Sequence, residues 1–338
     1  MSVIIKSIEK KLPEKRYHSS ELDARSNVRE GRIEKHTGVA YRHHISGTES
    51  VCSLGAAALK KAINSAQIEA SSIDLLIFCG ASFDYPVPHN AAIIKSLITD
   101  DSVNFHCLDI NSTCLSFLNA LDIANMYLET NRYKRIALVC SEVSSKALTP
   151  QDEMVFGLFG DAAVALILEK SETEGYHQFF SNFINYPSGS LLAHVPIGGA
   201  INRGINSSSA DLGYYFKMNG KGLFRLTTKH IDSFVTQIEE DTNLKLNDFD
   251  YIITHQTSKM GNNFFQSHFN LNQSRVVETL SMYGNCISAS IPLGLEKYYN
   301  QLEKSAQQNI LLFGSGAGVS LGAIALQFNH RNQSTKNY

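Results

Sequence analysis

The sequence predicts an α/β fold built from two similar halves, each with its own sheet. One observation is a repeat: SSIDLLIFCGAS (Ser71 to Ser82) aligns without a gap on NDFDYIITHQTS (Asn247 to Ser258), pairing Asp74 with Asp250, Cys79 with His255 and Ser82 with Ser258. The other is that strand-length apolar runs alternate with helix-period stretches in the same order on both sides of the middle. A duplicated βα unit of about 150 residues argues for paired α/β layers.

In the first half, AALKKAINSAQIEA reads as a helix, IDLLIFCG and NFHCLDI as strands, and Cys114 to Glu129 as a long helix. The strand RIALVCSE follows from Arg135, then an extra loop between Lys146 and Phe156, then the closing strand DAAVALILE from Asp161. The second half repeats this plan with the helix KHIDSFVTQIEEDTNLKL, the strand FDYIIT, a helix from Ser288 to Lys304, and strands NILLFGSG and LGAIALQF. Periodicity fails in the glycine- and serine-rich stretch from Asn185 to Leu212, which reads as a linker. The expected organisation is therefore a first half over 1–184, a linker over 185–212, a second half over 213–330 and a disordered tail over 331–338.

Hydrophobic residues make up 43% of the 338 residues and the formal net charge is −2. That suits a large core and excludes the basic balance expected of a partner of nucleic acid or an acidic membrane. The N-terminal apolar run is too short for a signal peptide, and no segment approaches the roughly 18 apolar residues of a membrane span, so a cytoplasmic protein is expected. The six cysteines stand singly without C-x-x-C pairs, which signals neither a disulfide framework nor a zinc site.

Three segments place useful chemistry at turns. Cys114 follows the strand NFHCLDI and the polar Asn111-Ser112-Thr113 and opens a helix, where the dipole is expected to lower the thiol pKa; a buried structural thiol is the alternative. His255 ends the strand FDYIIT, where open α/β sheets present functional groups, although eleven other histidines compete. Asn285, in SMYGNCIS, suits a site amide or a cap or turn residue equally. The glycine cluster FGSGAGVSLGA (Phe313 to Ala323) runs on into a strand, not the helix that a dinucleotide fingerprint requires. Its amides suit an oxyanion hole. A thiol with an imidazole can carry an acyl group as a thioester, and an imidazole with an amide can stabilise an enolate at a second acyl group.

At these residues the chain resembles a beta-ketoacyl-acyl-carrier-protein synthase of type III, within the thiolase superfamily. The likeness runs through KHTGVAYRHH, IDLLIFCGASFDYPVP, the cysteine helix, FGDAAVALILE, MNGKGLFRLT, THQTS and YGNCISASIPLGL. It implies a thiolase-like five-layered αβαβα fold and a site reached by a phosphopantetheine tunnel. Cys114 would be acylated, His255 and Asn285 would bind the carbonyl of a malonyl-type extender, and the amides of Cys114 and Ala317 would form the oxyanion hole. No cofactor or metal is implied. The expected partners are an acyl thioester on acyl carrier protein or coenzyme A, the carrier protein itself, and a second subunit in a homodimer or a heterodimer with a homologue.

Departures from the pattern bear on substrate. His-Gln-Ala-Asn of the family becomes His255-Gln256-Thr257-Ser258, and the basic residue expected for carrier docking becomes Met260 beside Lys259. Arg32 and Glu153 match the tryptophan and arginine that stack coenzyme A's adenine. Arg32 could still stack, whereas Glu153 would repel phosphates. Val87 matches a phenylalanine that closes the acyl pocket from the partner subunit. A specialised fatty-acid or secondary-metabolite pathway is the expectation, with a non-condensing acyltransferase and a non-catalytic partner subunit as alternatives.

Overall fold

The computed structural model describes residues 2–172, 174–200, 212–299 and 307–329. Ten strands join in one sheet: β1 (Ser2–Lys11), β2 (Leu75–Cys79), β3 (His106–Ile110), β4 (Arg135–Glu142), β5 (Ala162–Ser171), β6 (Gly175–Asn185), β7 (Tyr251–Thr254), β8 (Val276–Val277), β9 (Gln308–Gly316) and β10 (Ser320–Asn329). Their order is β3-β2-β4-β5-β1-β6-β10-β9-β7-β8. Cut between β1 and β6, this is one five-strand pattern used twice. Each half has two antiparallel pairs, β1-β5-β4 or β6-β10-β9, followed by two parallel pairs, β4-β2-β3 or β9-β7-β8.

The two expected sheets are thus present but joined through an edge contact at Val3 and Tyr176. The expected boundary at residue 184 is corrected: β6 pairs along β10, so the second half begins between Ser171 and Gly175. Nor is the expected linker uniformly irregular, since Ala193–His194 pairs with Lys217–Met218. Residues 201–211 and the expected tail lie outside the described residues.

The repeat is maintained by chemistry as well as pattern. The Asp74 carboxylate accepts from Lys134 N and Arg135 N at 2.8 and 2.9 Å, and its counterpart Asp250 accepts from Asn309 N at 2.8 Å. Each aspartate therefore ties the start of one parallel strand to its neighbour.

Among the helices that build the layers are α1 (Val51–Ala66), α2 (Ser116–Glu129), α3 (Gly220–Thr242), α4 (Lys259–His268) and α5 (Ser290–Tyr299). Strand alternation divides the core between them. Leu75, Ile77 and Cys79 face a central core shared with Phe117, Leu118 and Leu121 of α2 and Ile291 and Leu295 of α5. Leu76 and Phe78 face an outer core under α1, while Leu311 and Phe313 face one under α3. At roughly 1.5–3 kcal/mol for each fully buried large apolar side chain, the central layer is a major source of stability and anchors both central helices. Among the described residues, no helix is long and apolar enough to cross a membrane.

Candidate active site

Cys114 lies in the 3-10 turn Thr113–Leu115 that leads into α2. Thr113 takes a left-handed backbone at φ +51°, and Ser116 Oγ latches the turn by accepting from Ser112 N at 2.9 Å. The expected lowering of the thiol pKa is not found. Burial pushes the thiol up to about 12, and the charge of Glu142 adds to the rise, against the lowering effect of the backbone amides of Ala317 and Cys114 itself. The helix proper begins only at Ser116, so its dipole does not outweigh desolvation. Those two amides are the pair expected to form the oxyanion hole, and both act on the sulfur.

His255 follows β7, with its N–H bonded to Phe313 O at 2.8 Å. The ring is almost wholly buried, which pushes its pKa down to about 4 and leaves it neutral at pH 7. Among the described residues its buried Nδ1 has no hydrogen-bond partner, so Nε2 is the nitrogen left to serve the cavity that the residue lines. The adjoining Gln256, also buried, fixes the turn from both ends of its side chain. Nε2 donates to Thr254 O and Val277 O at 3.1 and 3.3 Å, and Oε1 accepts from Asn262 Nδ2, Thr279 N and Leu280 N.

Asn285 is held by the other half of the molecule. Its N–H donates to Leu158 O at 2.9 Å, and its carbonyl accepts from Gly160 N at 3.1 Å. Gly284, at φ +71°, permits this approach, since a Cβ there would stand 2.6 Å from Leu158 O. The side-chain Oδ1 accepts from Ile287 N at 2.9 Å and Nδ2 donates to Thr257 O at 3.2 Å, leaving one amide hydrogen for a ligand.

Cys114, His255, Asn285, Ala317 and Ser258 line a single cavity of about 1150 Å³. Ser258 also caps α4 by accepting from Gly261 N at 3.1 Å, so it has a structural task beside any ligand role. Lys259 lies outside the cavity wall, exposed, with its stem against Gly38. Val87 is 83% exposed and does not line this chain's cavity.

Arg32 and Glu153 also lie off the cavity wall and depart from the expected arrangement. They bond to each other, Nη2 to Oε1 at 3.0 Å and Nε to Oε1 at 3.2 Å. The pair is local because an exposed guanidinium and a carboxylate within reach neutralise one another. Arg32 also holds the Glu153 carboxyl below its ordinary pKa. The Arg32 guanidinium and the Glu153 carboxylate are therefore bonded to one another.

Sequence reasoning missed Glu142. Fully buried at the end of β4, it accepts from Ala81 N, Ser82 N and Ser82 Oγ at 2.9, 3.0 and 2.6 Å, and from Ser288 Oγ across the halves. The signal was available in the repeat: extending the alignment along β4 and β9 puts Glu142 where Gly316 stands. One half thus has a filled knot where the other has space beside Cys114.

Comparison with known proteins agrees with this architecture. The family model described as 3-oxoacyl-[acyl-carrier-protein] synthase III matches residues 108–187, and the model for its C-terminal part matches residues 240–328. The beta-ketoacyl-[acyl-carrier-protein] synthase III of Neisseria meningitidis is 30% identical over 320 residues, covering 94% of this chain and 96% of that protein. The synthase III of Clostridium acetobutylicum is 30% identical over 322 residues, with the same coverage of each chain. Among solved structures, the Aquifex aeolicus 3-oxoacyl-[acyl-carrier-protein] synthase III superposes with a TM-score of 0.84 at 22% identity, over 96% of this chain and 100% of that one. The Burkholderia xenovorans 3-oxoacyl-(acyl-carrier protein) synthase superposes at 0.85 with 25% identity, over 98% and 95%.

A duplicated α/β sheet pair with a cavity at its central helices defines a thiolase-superfamily enzyme. Within that superfamily the chain belongs to the beta-ketoacyl-acyl-carrier-protein synthase III family and is an acyl-transferring condensing enzyme.

Proposed function

We propose that the chain joins an acyl group held on Cys114 to a malonyl-type or β-keto thioester by Claisen condensation. The observation that carries this reading is the convergence of Cys114, His255, Asn285 and the Ala317 amide on one cavity.

In the first step the neutral thiol of Cys114 attacks the donor carbonyl. Its proton passes to the departing sulfur as the donor's carbon–sulfur bond breaks, while the amides of Cys114 and Ala317 bind the carbonyl oxygen as it gains charge. In the second step the carbonyl of the incoming thioester accepts from His255 Nε2–H and from the free amide hydrogen of Asn285. With a malonyl-type extender, the bond to its carboxylate breaks, CO₂ leaves, and the enolate carbon attacks the acyl carbon on Cys114. The sulfur departs with the electron pair and is reprotonated.

The Arg32–Glu153 pair favours a carrier-bound donor, because the Arg32 guanidinium is already bonded to a carboxylate and is not left free for the adenine and phosphates of coenzyme A. The exposed cations Lys146 and Lys221 on the cavity wall, with Lys259 nearby in sequence to the wall residue Met260, suit an acidic carrier protein. A specialised fatty-acid or secondary-metabolite pathway fits that choice of donor.

Intact mass of the protein after exposure to acyl-coenzyme A and acyl-carrier thioesters tests the first step. An acyl adduct lost in Cys114→Ala is expected, and no adduct from any donor, or one that survives the substitution, overturns it. His255→Ala and Asn285→Ala should retain acylation and lose malonyl decarboxylation; full condensation by both variants would refute the enolate site.

A further inference from the structure

The cavity of about 1150 Å³ reaches past Cys114 and His255. Its wall also includes Thr227 and Ile231 of α3, Phe264 and Phe265 of α4, and Phe313 and Ser315 of β9. Ile231, Phe265 and Phe313 belong at the same time to the outer core of the second half, and each is nearly fully buried. The rings of Phe265 and Phe313 stack at 4.9 Å. The cavity therefore enters a layer that close packing would otherwise fill, and an apolar void there is unfavourable unless something occupies it.

Strand alternation fixes the side on which this branch lies. A Cβ at Gly314 would meet Leu115 and Ile291, and one at Gly316 would meet Cys114, so these positions face the thiol. Phe313 and Ser315 alternate with them and face the other way. The branch thus lies across β9 from Cys114 and beside His255, whose N–H is bonded to Phe313 O. The six named walls carry hydrocarbon surface and two hydroxyl side chains, with no charge among them. By contrast, Lys146 and Lys221, also on the cavity wall, are exposed to solvent.

We infer that this branch is a subsite for an alkyl chain carried by the second thioester, whose carbonyl meets His255 and Asn285. The inference rests on the condensation proposed above and names its substrate class, an extender substituted at C2. Its C2–carboxylate bond breaks with loss of CO₂, C2 bonds to the acyl carbon, and the bond from that carbon to the Cys114 sulfur breaks. The product is a β-keto thioester branched at C2.

The test compares malonyl and 2-butylmalonyl phosphopantetheine thioesters as extenders, with Cys114 loaded with the same acyl group. The wild type should turn over both. Ile231→Phe and Thr227→Phe should each lower the ratio of kcat/KM, 2-butylmalonyl to malonyl, at least tenfold, and Ile231→Ala should raise it. A ratio unchanged within twofold in both filled variants, or a wild type that uses malonyl alone, overturns the subsite. So does a shift confined to the chain length accepted on Cys114, because the branch would then serve the donor. Absence of any Cys114 adduct would instead refute the underlying condensation, so the two failures are distinguishable.

Discussion

Cys114 and Ser288 occupy the same position in the two halves of the fold. Each is the middle residue of a 3-10 turn whose first residue is left-handed, Thr113 at φ +51° and Ile287 at φ +49°. The same latch closes both turns: Ser116 Oγ accepts from Ser112 N at 2.9 Å, and Ser290 Oγ accepts from Cys286 N at 3.0 Å. Asn111 and Asn285 correspond as well, accepting from Thr113 N and Ile287 N at 3.0 and 2.9 Å. Duplication supplied the geometry twice, and Glu142 closes one copy while Gly316 leaves the other open.

That closure makes Glu142 a stability determinant. Glu142→Ala removes the acceptor of four donors and should destabilise the protein by about 3 kcal/mol, whereas Ser288→Ala removes one bond and should cost about 1 kcal/mol. Urea unfolding of both variants checks this, and a loss below about 1 kcal/mol for Glu142→Ala contradicts the knot's importance.

The buried imidazole of His255 sets an acid dependence of stability. Its pKa falls from the ordinary 6.5 to about 4 in the folded state, so the unfolded chain takes the proton first. No stability is lost above pH 6.5; the loss grows as pH falls from 6.5 and levels off below pH 4. At 1.36 kcal/mol per pKa unit it amounts to about 3 kcal/mol at pH 4. Relative to a His255→Gln variant, the wild type should lose about that much between pH 7 and pH 4; parallel curves for the two would contradict the shift.

A resting thiol with a pKa pushed up to about 12 should alkylate slowly. Carboxamidomethylation of Cys114, followed by peptide mass, should accelerate about tenfold per pH unit from 7 through 10, because the thiolate is the nucleophile. A plateau near pH 8 would show a thiol already ionised by its helix.

Gly284 decides where Asn285 stands. Gly284→Ala adds a Cβ 2.6 Å from Leu158 O at a backbone conformation that side chains rarely adopt, and should destabilise by about 1–3 kcal/mol. The same substitution should lower condensation more than Cys114 acylation, read by product formation and intact mass. Equal losses in both would argue that Asn285 has not moved relative to the thiol.

Removing the acid of the Arg32–Glu153 pair should alter donor choice. Glu153→Ala frees Arg32 and should lower KM for a coenzyme A thioester severalfold, while KM for the carrier thioester stays within about twofold. Thermal stability should scarcely change, since an exposed pair contributes about 0–1 kcal/mol. An unchanged coenzyme A KM would remove the pair from the account of donor selection.

The sequence by itself determined the duplicated α/β plan and the chemical types at the site, because apolar periodicity, the Asp74/Asp250 match and the turns at Cys114, His255 and Asn285 are local properties of the chain. It could not place β6 in the second half, since pairing along β10 is a contact between distant segments. Nor could it show that Arg32 meets Glu153 or that Glu142 fills the counterpart of the open site. The ionisation of Cys114 and His255 likewise needed the tertiary structure: a helix terminus can be read from sequence, but desolvation depends on everything packed around the group, and here it outweighs the dipole.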